Sequence, residues 1–455
     1  VELADQREGD VNLSPNRAGW AARATGEAAR DLLRRDEAAF LHQSLSTPCL
    51  APVVRAEGSW IEDADGRRYL DFHGNSVHHV GYGHPAVVAA VEHQLHALPF
   101  APRRFTCEPA VSLAERLGDA VPGGPWKVLL SPGGSEAVEI ALKIARLATG
   151  RFKTISFWDA FHGAGFGAAS VGGEALFRSG GIGPLLPGTE HVPPFACDRC
   201  PFGFPSPSGT PDLDRCAMAC ARMVEYVLER EADVAAVVAE PIRAVPYLPP
   251  PGFWQRVRRA CDRTGALLIF DEIPTGLGKT GRFCAHEHDG VSPDLLVLGK
   301  ALGGGVLPLA AVLARADLDV MRQSAIGHYT HEKNPVLAAA GLATLDVIEA
   351  EQLVARAGEL GASFGTRLQT LAARFPIVGN VRGVGLLWGV DLATPDGAPA
   401  LDAADRVLYL ALERGLSLKV AMGSVLTLSP PLTISRDELD LAVRILEDCL
   451  GEVSD

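Results

Sequence analysis

The sequence predicts an α/β protein, with a large domain holding a mostly parallel sheet between helices and a small α+β lobe assembled from both ends of the chain. Three observations carry this. Between Lys127 and Leu313, six apolar runs (KVLLS, KTISF, VAAVVAE, ALLIFDE, LLVLG and AAVLA) alternate with stretches of helical period, the pattern of strands covered on both faces. Before them, GSWIEDADGRRYLDF alternates apolar and polar residues about Asp65-Gly66 and reads as two short antiparallel strands. After them, Ser435 and Glu438 precede LDLAVRIL as a capping box that opens a last helix.

In chain order, residues 1–35 read as a polar tail leading into a helix near Thr25–Leu33, and 36–100 as the N-terminal part of the small lobe. Residues 101–350 form the expected large domain and 351–455 the C-terminal small domain, with a largely helical stretch over 316–356. The Pro- and Gly-rich stretch 183–213 interrupts the large domain as a long loop, a cover for the active site or a subunit contact.

Composition narrows the function. Of the 455 residues, 47% are apolar and 21% charged, the balance of a globular enzyme. A formal charge of −13 repels nucleic acid and anionic membrane, so neither is an expected partner, and an anionic ligand needs a local cluster of donors. The stretch LLVLGKALGGGVLPLAAVL is broken by Lys300 and glycines and is not expected to span a bilayer. The start, VELADQREGDVNLSPNR, lacks the form of a signal peptide, and nine scattered cysteines suit reduced thiols, so a cytoplasmic location is expected.

Three pieces carry chemistry. In SPGGSEAVEIALKIAR a glycine turn feeds the N-terminus of an amphipathic helix, which makes Gly134 and Ser135 candidate phosphate ligands through unpaired backbone N–H groups. In ALLIFDEIPTG an apolar strand delivers Asp271 at its carboxyl end, where α/β proteins bind ligands and where a carboxylate can hold a ring nitrogen protonated. In LLVLGKALGGG another strand runs into Lys300, an amine costly to bury without a task and suited, once desolvated, to condensing with an aldehyde. Phosphate turn, strand-end Asp and strand-end Lys, in that order, point to pyridoxal 5′-phosphate.

The segments GSEAVEIALKIAR, FHG, AEPI, FDEIPTGLGKTG, LGKALGGG, THEKNP and RGVGLLWGVDL resemble the class III aminotransferase family over roughly residues 40–450. The resemblance implies the fold type I architecture of PLP-dependent transferases and a homodimer with shared active sites. It implies that Lys300 attaches the cofactor, Asp271 holds its pyridine nitrogen, Gly134 and Ser135 bind its phosphate, and Thr330 reaches the partner subunit's phosphate. It also implies Phe161 and Ile273 against the two ring faces, His162 beside the cofactor, and Glu240 near its phenolic edge. For Phe161 and Ile273 the alternative is core packing, and for His162 a structural role. No metal is expected among these residues.

Family members that handle 2-oxoglutarate carry an arginine where this chain has Thr427, and a paired glutamate where it has Val245; Pro274 replaces a glutamine. Loss of both members of an ion pair is coherent, because either charge left alone in a closed pocket is costly. Added donors include Arg243, Arg103 and Arg104, whose guanidinium forks suit a phosphate or phosphonate, with His78, His79, His328, Tyr329 and His331 as further pocket candidates. The stretches LDFHGNSVHHVG, LPFAPRRFT, SVGGEALFR and GHYTHEKNP, together with FLHQSLSTPCL, resemble a branch of the family that contains ammonia-lyases acting on a hydroxy-aminophosphonate. That branch implies a small-molecule amine substrate, with transamination of an amine and a keto acid as the alternative. A remote alternative is a zinc-binding insertion built on Cys197, Cys200, Cys216 and Cys220.

Overall fold

The computed structural model describes residues 14–43, 49–178, 181–206 and 210–454. The chain divides into two compact units, Pro85–Ala355 and the pair Val1–His84 with Arg356–Asp455.

The large unit is built on a seven-stranded sheet in the order Trp126–Ser131, Ala310–Arg315, Leu295–Leu298, Leu267–Asp271, Val234–Ala239, Lys153–Phe157, Thr189–Val192. Every strand runs the same way except Ala310–Arg315, which is antiparallel to both neighbours. Val234–Ala239 and Leu295–Leu298 are buried along their whole length, which is why their sequences are unbroken apolar runs rather than alternating ones. Helix Gly134–Thr149 covers one face with Val138, Ile140, Ala141, Ile144 and Ala145, and stops where Gly150 turns left-handed at φ 66°.

The six runs singled out in the sequence are strands of this sheet, and the seventh strand lies inside the expected loop 183–213. Thr189–Val192 pairs in parallel with Lys153–Phe157 at the sheet edge. Its sequence, TEHV, is too short and too polar to show a period. The division between the units also differs from the expected one. Helix Pro85–Ala97 belongs to the large unit, where buried Val87 and Val91 face helix Pro335–Ala350. The stretch 316–356 is less helical than expected, since a short 3₁₀ turn at Ala316–Leu318 is followed by non-helical chain up to Asn334. Asn334 then starts helix Pro335–Ala350 by accepting hydrogen bonds from Val336 N and Leu337 N at 2.8 and 3.1 Å.

In the small unit, strands Trp60–Asp63 and Arg68–Asp71 pair antiparallel across Gly66, whose φ is 80°. Asp63 fixes that turn: one carboxylate oxygen accepts Asp65 N and Arg67 N, and the other accepts the Tyr69 hydroxyl at 2.7 Å. Val53–Glu57 adds a third strand that the sequence reading omitted, and Leu416–Ser417 a fourth. A second four-stranded sheet holds Val378–Val384, Leu387–Leu392, Val425–Leu428 and Lys419–Ala421. The expected capping box is present, with Ser435 N donating to Glu438 Oε2 at 2.8 Å and Glu438 N to Ser435 Oγ at 3.2 Å, ahead of helix Arg436–Ser454. In place of a single helix near Thr25–Leu33 there are two, Pro15–Ala24 and Glu27–Ala39, because Thr25-Gly26 is extended. The first part of the expected tail, residues 1–13, lies outside the described residues, as do 44–48 of FLHQSLSTPCL and 207–209 of the insertion. Among the described residues no helix is long and apolar enough to cross a membrane.

Candidate active site

Five of the parallel strands end on the same edge of the large sheet, and each delivers an expected site residue there. Trp126–Ser131 leads to Gly134 and Ser135, Lys153–Phe157 to Phe161 and His162, and Val234–Ala239 directly to Glu240. Leu267–Asp271 ends in Asp271, and Leu295–Leu298 is followed after one glycine by Lys300. This is the edge where open α/β sheets hold ligands.

Asp271 is buried, and its two oxygens have separate partners: Oδ2 lies 2.8 Å from Nδ1 of buried His162, and Oδ1 accepts Ile273 N at 3.1 Å. With the proton on Nδ1, His162 donates to the carboxylate and holds it in one orientation. Its Nε2 is buried without a hydrogen-bond partner.

Ile273 is buried against the glycine turn. A Cβ added to Gly134 would meet its Cδ1 at 2.7 Å, so only glycine lets the helix start come this close. The loop carrying His162 docks on the same turn from the other side. Ala164 N donates to Ser135 Oγ at 3.2 Å, and a Cβ on Gly163 (φ 125°) would meet that oxygen at 2.4 Å. The Gly134-Ser135 turn, Ile273, Asp271 and the His162 loop are therefore one packed assembly.

Lys300 is half-buried and has φ 44°, a left-handed conformation that L-residues other than Asn, Asp and Gly rarely adopt. Strain of this kind persists where the surroundings over-determine it. The lysine that is fully enclosed is a different one, Lys279, whose amine burial pushes down to about 7. It sits in GLGKTG, a glycine-rich stretch with no apolar flank to announce burial. Phe161 is half-open to solvent and its ring stacks obliquely on Phe177 at 4.5 Å.

Arg243, an expected substrate donor, is buried close to Glu240. It is 3% exposed; Nη2 donates to the carbonyl oxygen of Asp159, and Nε is 3.9 Å from Glu240 Oε1. Glu240 in turn accepts Ala244 N at 3.0 Å. Asp159 has φ 65°, so the guanidinium braces a strained turn two residues before Phe161. Arg103, by contrast, reaches an exposed group: Nη2 lies 2.6 Å from Nε2 of His328, beside Tyr329 and exposed Thr330. Arg104 is exposed. Tyr329 has a phenol pushed up by burial and by Glu136 and Glu139. His331 packs edge-on to Phe100 at 5.4 Å and contacts Asn334. His78 and His79 belong to the small unit, both buried, with His78 Nε2 3.1 Å from the Asp71 carbonyl. Thr427 is buried in a strand of that unit, and its hydroxyl lacks a hydrogen-bond partner.

Among the described residues, one group of three side chains has metal-binding atoms within 4.8 Å of one another: Glu272, Cys284 and His286. Glu272 already accepts hydrogen bonds from His286 Nδ1 at 2.7 Å and from the backbone N–H groups of Ala285 and His286, so it reads as the cap that folds the following turn.

Comparison with known proteins agrees with this geometry. The sequence profile described as aminotransferase class-III matches residues 42–450. An (R)-1-hydroxy-2-aminoethylphosphonate ammonia-lyase from Vibrio splendidus is 43% identical over 98% of this chain and 95% of its own. A leucine/methionine racemase from Thermococcus litoralis is 35% identical over 93% of this chain and 96% of its own. Among solved structures, an amine transaminase from an uncultivated Pseudomonas species, in its PLP-bound form, superposes with a TM-score of 0.84 at 33% identity, covering 91% of this chain and 98% of that one.

Proposed function

The chain belongs to the class III aminotransferase family, and from that premise we propose that it is a PLP-dependent ammonia-lyase acting on (R)-1-hydroxy-2-aminoethylphosphonate. The observation that carries this reading is the near full-length identity to the Vibrio splendidus ammonia-lyase. The residues fit the cofactor. Gly134 and Ser135 offer an N-terminal anion turn kept open by the absence of side chains at Gly134 and Gly163. Asp271, fixed by His162, offers a buried carboxylate for a protonated ring nitrogen. Ile273 and Phe161 offer apolar faces, and Lys300 an amine on a strained turn.

When bound, pyridoxal 5′-phosphate supplies an aldehyde for the amines and a protonated ring that draws electrons from the carbon next to the amine nitrogen. Asp271 keeps that ring proton in place. Lys300 Nζ would hold the coenzyme until substrate amine displaced it, and would then take the proton from the amine-bearing carbon. The hydroxyl on the neighbouring carbon would leave as water, Lys300 would reclaim the coenzyme and free the enamine, and hydrolysis of that enamine would give phosphonoacetaldehyde and ammonia. Arg103 beside His328 is the guanidinium we assign to the phosphonate, with Arg104 and Tyr329 as neighbours, while Arg243 uses Nη2 on the Asp159 carbonyl and keeps Nε and Nη1 without hydrogen-bond partners. We assign a homodimer in which exposed Thr330 serves the partner's phosphate site, and a reducing cytoplasm, in keeping with the absence of disulfides among the described residues.

The test is incubation of the purified protein with the hydroxy-aminophosphonate and no keto acid. Equal amounts of ammonia and aldehyde are expected. Conversion that proceeds only when a keto acid is supplied would instead identify an aminotransferase.

A further inference from the structure

Four of the nine cysteines fall within a short segment far from the catalytic edge in sequence, in the pattern Cys197-x2-Cys200-x15-Cys216-x3-Cys220. Such spacing, two close pairs joined by a longer link, is that of four-thiolate zinc sites. Spacing alone is weak; the fold adds convergence. All four line a single cavity of about 20 Å³, otherwise walled by apolar side chains such as Phe195, Phe204 and Met218. That is room for a particle of roughly one water's size.

Local backbone accounts for the convergence. Ser206 N donates to the Cys197 carbonyl at 2.8 Å and Gly203 N to the Cys200 carbonyl at 3.2 Å, closing the first pair into a knuckle. Cys216 ends the short helix Leu213–Cys216 and Cys220 lies in helix Ala219–Arg230. Between them Ala217 and Met218 both take left-handed φ, 46° and 53°. Two successive strained non-glycine residues are costly, and here they turn the second pair toward the first.

We propose that Cys197, Cys200, Cys216 and Cys220 form a structural site for one zinc-class dication that pins the insertion to the body of the large unit. Binding converts four thiols into four thiolates and releases four protons to solvent, with no change of oxidation state. No three of the sulfurs stand within 4.8 Å of one another in this structure, so the ion draws them inward to bond lengths near ~2.3 Å. The site adjoins Phe195, whose ring packs on Phe253 and Trp254, and Trp254 Nε1 donates to the Pro241 carbonyl beside Glu240. Pinning the insertion thus steadies the strand end that carries Glu240 and Arg243.

The full-length protein, incubated with Zn²⁺ and stripped of loose metal by gel filtration, is expected to retain stoichiometric zinc by elemental analysis; trace zinc would overturn the proposal. Reconstitution of the same protein with Co²⁺ is expected to give the intense red-region d–d bands of a tetrahedral thiolate site, and a weak octahedral spectrum would overturn it without recourse to any variant. The Cys197→Ser/Cys220→Ser double variant should lose the metal while Cys284→Ser keeps it. The reverse result would put the ion at Glu272, Cys284 and His286 and overturn the assignment. None of these readouts depends on which amine the enzyme consumes.

Discussion

His162 Nδ1 stands 2.8 Å from Asp271 Oδ2, with both side chains enclosed, although 109 positions of sequence separate them. The carboxylate we assign to a cationic ring nitrogen is thereby fixed by a donor with no other hydrogen-bond partner. Replacing His162 with Leu removes that donor and leaves Oδ2 without its partner in a buried site. A loss of about 1–3 kcal/mol in unfolding free energy is expected, together with faster loss of bound coenzyme on dialysis. His162→Gln, which keeps a donor, should recover part of both; equal behaviour of the two variants would show that the hydrogen bond does not matter.

Lys300, the amine we assign to the coenzyme, has a left-handed backbone. Lys300→Ala should abolish turnover, a fall of at least ~10³-fold if the amine is both anchor and proton acceptor. Lys300→Gly should be equally inactive yet more stable than the alanine variant by about 1 kcal/mol, because glycine adopts this φ without penalty. Chemical denaturation of the two cofactor-free variants side by side checks the backbone claim apart from the catalytic one.

The enclosed amine of Lys279 gives a pH signature. Burial lowers it from 10.5 to about 7, so between those values the unfolded chain binds a proton that the folded chain does not, and stability rises with pH across that window. At and below about pH 7 the folded protein bears the full cost of a buried ammonium. Lys279→Met, apolar and similar in length, should therefore gain most over wild type near pH 7 and progressively less toward pH 10. Urea midpoints that stay parallel for the two proteins would contradict it.

Arg243 and Arg103 are expected to fail in opposite ways. Arg243→Met removes the donor to the Asp159 carbonyl and the cation 3.9 Å from Glu240, which is 6% exposed, and losing a charged donor in a buried site costs about 1–3 kcal/mol. Arg103→Met lies at a half-buried position whose guanidinium meets exposed His328, and should leave stability within about 0.5 kcal/mol while raising KM for the phosphonate substrate. A large loss of stability in the Arg103 variant, or none in the Arg243 variant, would reverse the division of labour argued above.

Much of this architecture was legible in the sequence because its signals are local. The six apolar runs of the large sheet announce strands buried on both faces, and Asp65-Gly66 and the Ser435–Glu438 box each decide a turn or a helix start within a few residues. What escaped was set by distant partners. Thr189–Val192 is a strand only because Lys153–Phe157 offers it an edge. The direction of Arg243 Nη2 depends on the Asp159 carbonyl, 84 positions away, a partner that no local pattern announces. Lys279 carries no flanking apolar run, and its enclosure appears only in three dimensions. The start of helix Pro335–Ala350 could have been read: Asn334-Pro335 is a capping residue followed by the imino acid suited to the first helical turn.

The one reversed strand of the large sheet, Ala310–Arg315, hydrogen-bonds to Leu295–Leu298 in the register Ala311↔Leu298 to Ala314↔Leu295. The segment between them, which bears Lys300, is thus clamped at both ends by a single ladder. Sliding either strand by one position would send each of its side chains to the opposite face of the sheet, an all-or-none error rather than a graded one. The amine therefore cannot drift in small increments as the protein diverges, and new substrate preferences in this lineage must arise from the groups that approach it.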